Sequence, residues 1–200
     1  MMRLLVRAAA AAALIGLLVA CQGFTDPPTL SFAMQPSGTL GYEVSSDGEI
    51  TITTRNLVFR NPAGAHGLTL TAYRIEFLDE NDQPAPVGDN AQEGSLSVFV
   101  PPGIQCDAPD PDTGCTMGSP GYRFAPGPEV VTSSNYQLLP VGVAQEHLFR
   151  SFPGFGEGDD LLLLTPQPVG WHAEITFTGR TATGGFFTSP TYRVGIAPPN

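Results

Sequence analysis

From residue 29 onward, apolar residues recur at every second position through much of the chain, the period of a half-buried strand. Leu30, Phe32 and Met34 alternate with Thr29, Ser31 and Ala33. Ile50 and Ile52 begin a second run, but Leu57 and Phe59 carry the apolar phase on odd numbers. The switch across Thr53 to Asn56 predicts a bulge or a bend between sheets. Leu68, Leu70 and Ala72 give way in the same manner to Tyr73, Ile75 and Phe77, which leaves Arg74 and Glu76 facing out. Asp79 to Asp82 is a polar turn, and Leu96, Val98 and Val100 form a strand stopped by Pro101 and Pro102. Towards the C-terminus Trp171, Ala173, Ile175 and Phe177 define a buried face, with His172, Glu174, Thr176 and Thr178 on the wet one. Thr183-Gly184-Gly185 turns the chain into a last strand carrying Tyr192, Val194 and Ile196. No stretch here shows a sustained helical period with caps; Val141 to Arg150 suits one short helix or a strand.

The N-terminal segment has a different pattern. Arg3 and Arg7 precede an unbroken run of apolar and small residues, Ala8 to Ala20. Its thirteen residues suit the core of an export signal. A membrane-spanning helix needs about 20. The run closes on Leu18-Val19-Ala20-Cys21, which resembles the lipobox of bacterial lipoprotein precursors at all four positions. The resemblance implies that the Cys21 thiol accepts a diacylglyceryl group. Cleavage before Cys21 then makes it the mature N-terminus. Acyl chains contribute about 0.8 kcal/mol per buried CH₂, and two or more give a stable anchor. In that family an aspartate after the cysteine often marks retention in the inner membrane. Gln22 stands there instead, so the outer membrane and the outer face of the cytoplasmic membrane are both open. Gly23 to Pro28 reaches roughly 20 Å when extended, which keeps the exported domain near the bilayer.

Composition narrows the fold. With 23 glycines, 20 prolines and only 14% charged residues, the chain favours many short strands over long helices. Its 42% hydrophobic residues are enough to form a core and argue against disorder. Ile50 to Asp82 and the closing hairpin from Trp171 to Ala197 are similar in pattern to immunoglobulin-like domains of bacterial envelope proteins. The Cys…Trp…Cys spacing of antibody domains is lacking. The expected fold is all-β: an antiparallel immunoglobulin-like β-sandwich after an N-terminal signal peptide helix. The expected divisions are a signal peptide at 1–20, a lipidated N-terminus and tether at 21–28, and a sandwich domain at 29–200.

Charge excludes one class of partner. The net charge is −10, and Arg3 and Arg7 are two of only nine cationic residues, so the exported part is more acidic still. Such a surface repels phosphates, so no nucleic-acid partner is expected, nor an electrostatic contact with a membrane. The expected partners are the lipid bilayer, through acylated Cys21, and another envelope protein or a cell-surface glycan.

Two cysteines remain after lipidation. Cys106 and Cys115 enclose an eight-residue loop, and in an oxidising compartment a disulfide is the default. Asp107, Asp110 and Asp112 ahead of Gly114 offer oxygens of the kind calcium takes. No bidentate glutamate follows and two prolines stiffen the loop, so a solvated acidic turn is the preferred reading. No cofactor is expected.

No catalytic motif is found: no Gly-x-Ser-x-Gly, no His-Glu-x-x-His, no phosphate-binding glycine loop. His66, His147 and His172 are far apart, and His172 with Glu174 reads as a surface pair. Asp159 and Asp160 end a loop before Leu161 to Leu164. Phe149, Phe152 and Phe155 form an aromatic stretch near Pro153, Gly154 and Gly156. It is either a contact surface or a lid folded back on the core, and the lid is preferred. The function expected is a non-catalytic interaction or structural module of the cell envelope. The alternatives are an envelope hydrolase with a site assembled from distant loops, and a glycan-binding module.

Overall fold

The computed structural model describes residues 29–197 except 37, 46, 155–164 and 166. The segments expected to be the export signal, the lipobox with Cys21 and the tether, together with Phe155, Asp159, Asp160 and Leu161 to Leu164, lie outside the described residues.

The alternating segments become strands, and every ladder between them is antiparallel. β1 (Ser31–Gln35), β4 (Asn56–Arg60) and β9 (Val130–Val131) make a three-stranded sheet with β4 in the middle. β5 (Leu68–Leu78), β6 (Ala91–Val100) and β10 (His172–Thr181) form the body of a five-stranded sheet. Its far edge is β11 (Phe186–Thr188) and β12 (Tyr192–Gly195), both paired with β10. Two small ribbons complete the strands: β2 (Tyr42–Val44) with β3 (Ile50–Ile52), and β7 (Ile104–Gln105) with β8 (Arg123–Phe124). The switch of apolar phase between Ile52 and Leu57 is thus a passage from one sheet to another.

The two larger sheets meet on aromatic side chains. Phe177 of β10 is 1% exposed, and its ring centroid lies 4.8 Å from Phe32 of β1 and 4.9 Å from Phe59 of β4. Tilted and edge-on rings at such distances combine a large buried area with favourable quadrupole geometry. Asn61, just past β4, sends its side-chain amide to the carbonyls of His66, Val100 and Pro101, tying the end of one sheet to the end of the other.

The second phase switch is a bulge. Leu70 of β5 pairs with Gly179, but the next pair is Ala72 with Thr178, so Thr71 is an extra residue on β5. A Cβ at Gly179 would stand 2.1 Å from the Thr69 carbonyl oxygen, so the backbones approach there as only glycine allows. The edge is broken at Pro190, which has no N–H to donate. The gap is bridged beside it: Ser189 Oγ accepts from the Phe177 N–H and donates to the Pro190 carbonyl.

Three expectations change. Val141 to Arg150, left open between helix and strand, is helix α1 (Val141–Ser151). β6 begins at Ala91, five residues before the Leu96 expected to open it. His172, assigned to the wet face, is only 6% exposed. Its cross-strand neighbours are Leu78 and Gly195, and the turn after β5 folds back until Asp82 Oδ1 lies 3.4 Å from Nε2.

Candidate functional site

Helix α1 places the polar groups of greatest chemical interest. Its buried positions are Val143, Ala144, His147, Leu148 and Ser151, one stripe at helical spacing. Extended Pro140 precedes the first turn without a side-chain cap, and the Phe152 N–H closes the last turn on the Leu148 carbonyl. On the outer side Arg150 pairs with Glu146 at 2.9 Å, and its guanidinium lies 5.4 Å from the Trp171 ring centre.

His147 is fully buried. Its Nδ1 lies 2.9 Å from the Tyr42 hydroxyl and 3.3 Å from Ser151 Oγ. Its ring meets Tyr42 and Trp171 edge-on. Burial raises the Tyr42 phenol well above its usual value, an effect the Ser151 hydrogen bond opposes only in part. A phenol so held keeps its proton, and the imidazole tautomer sets which of its oxygen and Nδ1 donates. Nε2 has no well-aligned hydrogen-bond partner among the described residues. Desolvation pushes the imidazole down to about 4, against a weaker opposing effect of the Val169 backbone.

Ser151 beside His147 has the composition of a nucleophile and its base. Both residues are 0% exposed and Nδ1 also faces Tyr42, so this pair presents no solvent-accessible nucleophile. The arrangement pins α1 to β2. It also makes stability depend on pH. Because the folded value lies below the ordinary 6.5, the unfolded chain takes up the proton first as pH falls. Stability is fully present above about 6.5 and declines down to about 4, by roughly 3 kcal/mol at about 1.4 kcal/mol per pH unit. Urea titrations across this range should show that slope in the wild type and lose it in His147→Gln.

An open groove of about 460 Å³ runs along the outer side of α1, walled by Pro86, Val87 and Asp89 on one side and Gly142, Glu146 and Phe149 on the other. A second hollow, which shares Asp89 and Pro140, continues it towards Gln92. The aromatic stretch divides here. Phe149 is 43% exposed on this wall, whereas Phe152 is 6% exposed and packs in the core. The end of α1 turns Phe152 inward with Leu148.

Cys106 and Cys115 form a disulfide, with Cα atoms 5.8 Å apart. Two of the three carboxylates around it are engaged singly. Asp107 pairs with Arg123 at 3.0 Å. Asp110 Oδ1 accepts the backbone N–H groups of Asp112 and Thr113, which hold its carboxyl below the usual range. Among the described residues no three His, Cys, Asp or Glu side chains converge as metal ligands.

His172 and Glu174 belong to a cluster that alternation along one strand did not reveal. Arg193 of β12 lies opposite Glu174 and reaches both that carboxylate, at 3.8 Å, and Asp82. Asp82 in turn faces His172. The signal available in the sequence was the spacing of Glu174 and Arg193 on strands joined by a turn.

No protein-family model matches the chain, and no curated protein matches it significantly.

Proposed function

We propose that the chain is a lipid-anchored protein of the bacterial cell envelope, exported and held at a membrane surface, where it acts as a non-catalytic interaction or structural module. The observation that carries this reading is Leu18-Val19-Ala20-Cys21 at the end of an export-type segment opened by Arg3 and Arg7. The exported domain is read as an immunoglobulin-like β-sandwich. Two antiparallel sheets meeting on Phe32, Phe59 and Phe177 support that assignment. The sealed Ser151–His147 pair supports a non-catalytic role. The groove beside α1, with Phe149 and the carboxylates of Asp89 and Glu146, is the surface offered to another envelope protein.

Labelled fatty acid should enter the wild-type chain and not Cys21→Ala, and the variant should leave the membrane fraction or accumulate with its leader uncut. A mature N-terminus other than Cys21 would remove the anchor from the proposal. Reproducible turnover by the purified protein in a broad hydrolase screen would replace the module with an enzyme.

A further inference from the structure

The two ends of the domain are chemically unlike. One end gathers the start of β1, the turn at Pro62 to Gly64, the Gly103 crossing, the disulfide-bearing ribbon and the turn from β10 to β11. Backbone bonds from Gly64 to Gly103 and from Ala182 to Gly67 hold these pieces together. Four of the seven exposed large hydrophobic residues among the described residues belong to this end: Phe99 (55% exposed), Met117 (82%), Phe124 (64%) and Phe186 (86%). Phe186 and Phe99 lie in one row across the outer face of the five-stranded sheet, through Arg180 and Thr69. The Arg180 guanidinium sits 4.6 Å from the Phe186 ring centre. Phe124 packs beside Gly64. At the opposite end the charge is carboxylate-rich, with Asp79, Glu80 and Asp82 in the turn after β5 and Glu43 and Glu49 on the β2–β3 ribbon.

The described chain starts at the aromatic end. Ser31 pairs with Arg60, whose neighbour Asn61 binds the carbonyls of Val100 and Pro101, so Thr29 emerges beside these same turns. Eight residue steps separate Cys21 from Thr29, a reach of at most about 26–29 Å. The eleven residues of β5 span about 36 Å at the usual rise for a strand. A tether of that length, leaving from the aromatic end, cannot bring the carboxylate-rich end to the bilayer with the domain upright. It brings the aromatic end there readily.

We infer that Phe99, Phe124 and Phe186 form a membrane-facing rim that seats the domain in the interfacial layer of the bilayer to which Cys21 anchors it, an inference that rests on the anchor proposed above. The occupant is a phospholipid surface. The contact is apolar: exposed rings enter the headgroup–acyl boundary, while Arg180 stays against its ring at headgroup level. Of the carboxylates on the disulfide loop, Asp107 is held by Arg123 and Asp110 is turned onto its own backbone, and Asp112 stays exposed on the water side. The groove beside α1 is left pointing away from the membrane, open to a partner.

The test uses mature protein purified from membranes and reconstituted in phosphatidylethanolamine–phosphatidylglycerol vesicles containing brominated phospholipid. Phe99→Trp, Phe124→Trp and Phe186→Trp are compared with Phe149→Trp, over the constant background of buried Trp171. Emission from the three rim variants should fall about two-fold, as for rings ~5–10 Å into the interface, and Phe149→Trp should be unaffected. Quenching of Phe149→Trp with the rim variants unquenched, or no quenching at all on a chain whose Cys21 is acylated by mass spectrometry, overturns the orientation alone. A chain with unacylated Cys21 overturns the anchor, and this inference with it.

Discussion

Replacing Phe177 by alanine should lower the unfolding free energy by about 3–5 kcal/mol, read as a shift of the urea midpoint at constant slope. The ring is 1% exposed and is shared by both sheets, touching Phe32 and Phe59 on one and Tyr192 on its own. Its loss leaves a cavity that backbone movement cannot close without separating the sheets. Domains are typically stable by only about 5–15 kcal/mol, so the variant loses a large share of that margin. A loss below about 1 kcal/mol would mean that the sheets do not depend on this contact.

Phe152→Ser should cost as much, about 3–5 kcal/mol, and Phe149→Ser about 1 kcal/mol or less. The two residues stand three apart at the end of α1, yet one is 6% exposed and the other 43%. Serine at 152 would lose a large buried apolar area and place a hydroxyl among Leu148 and its core neighbours. Equal midpoints for the two variants would return Phe152 to the surface. The contrast bears on function: only Phe149 can be altered to probe the groove without unfolding the domain that carries it.

The strands were legible because their faces differ in polarity. Trp171, Ala173, Ile175 and Phe177 read as one buried face and are one. Both phase switches were legible as well, since a single extra residue reverses which side chains face the core. The first is a crossing between sheets and the second is the bulge at Thr71, where Gly179 admits the close approach. The disulfide was legible because Cys106 and Cys115 are close in sequence and were expected to meet an oxidising compartment.

Helix α1 was hidden because its inward stripe contains Ala144, His147 and Ser151, too polar and too small to register as an apolar face. Those residues become core only because Tyr42, Trp171 and the helix's own turns supply their hydrogen bonds and ring contacts. His172 illustrates the same limit. Alternation assigns it to solvent, but the turn bearing Asp82 returns from 90 residues earlier to cover it. The sequence by itself determined the properties carried by local period and composition: the β class and the phase of each face. Tertiary structure alone decided which residues distant in sequence share a surface. It buried the His147–Ser151 pair, divided Phe149 from Phe152, and gathered Phe99, Phe124 and Phe186 at one end of the domain. Burial is a property of what packs on a residue, and no local pattern encodes a neighbour a hundred positions away.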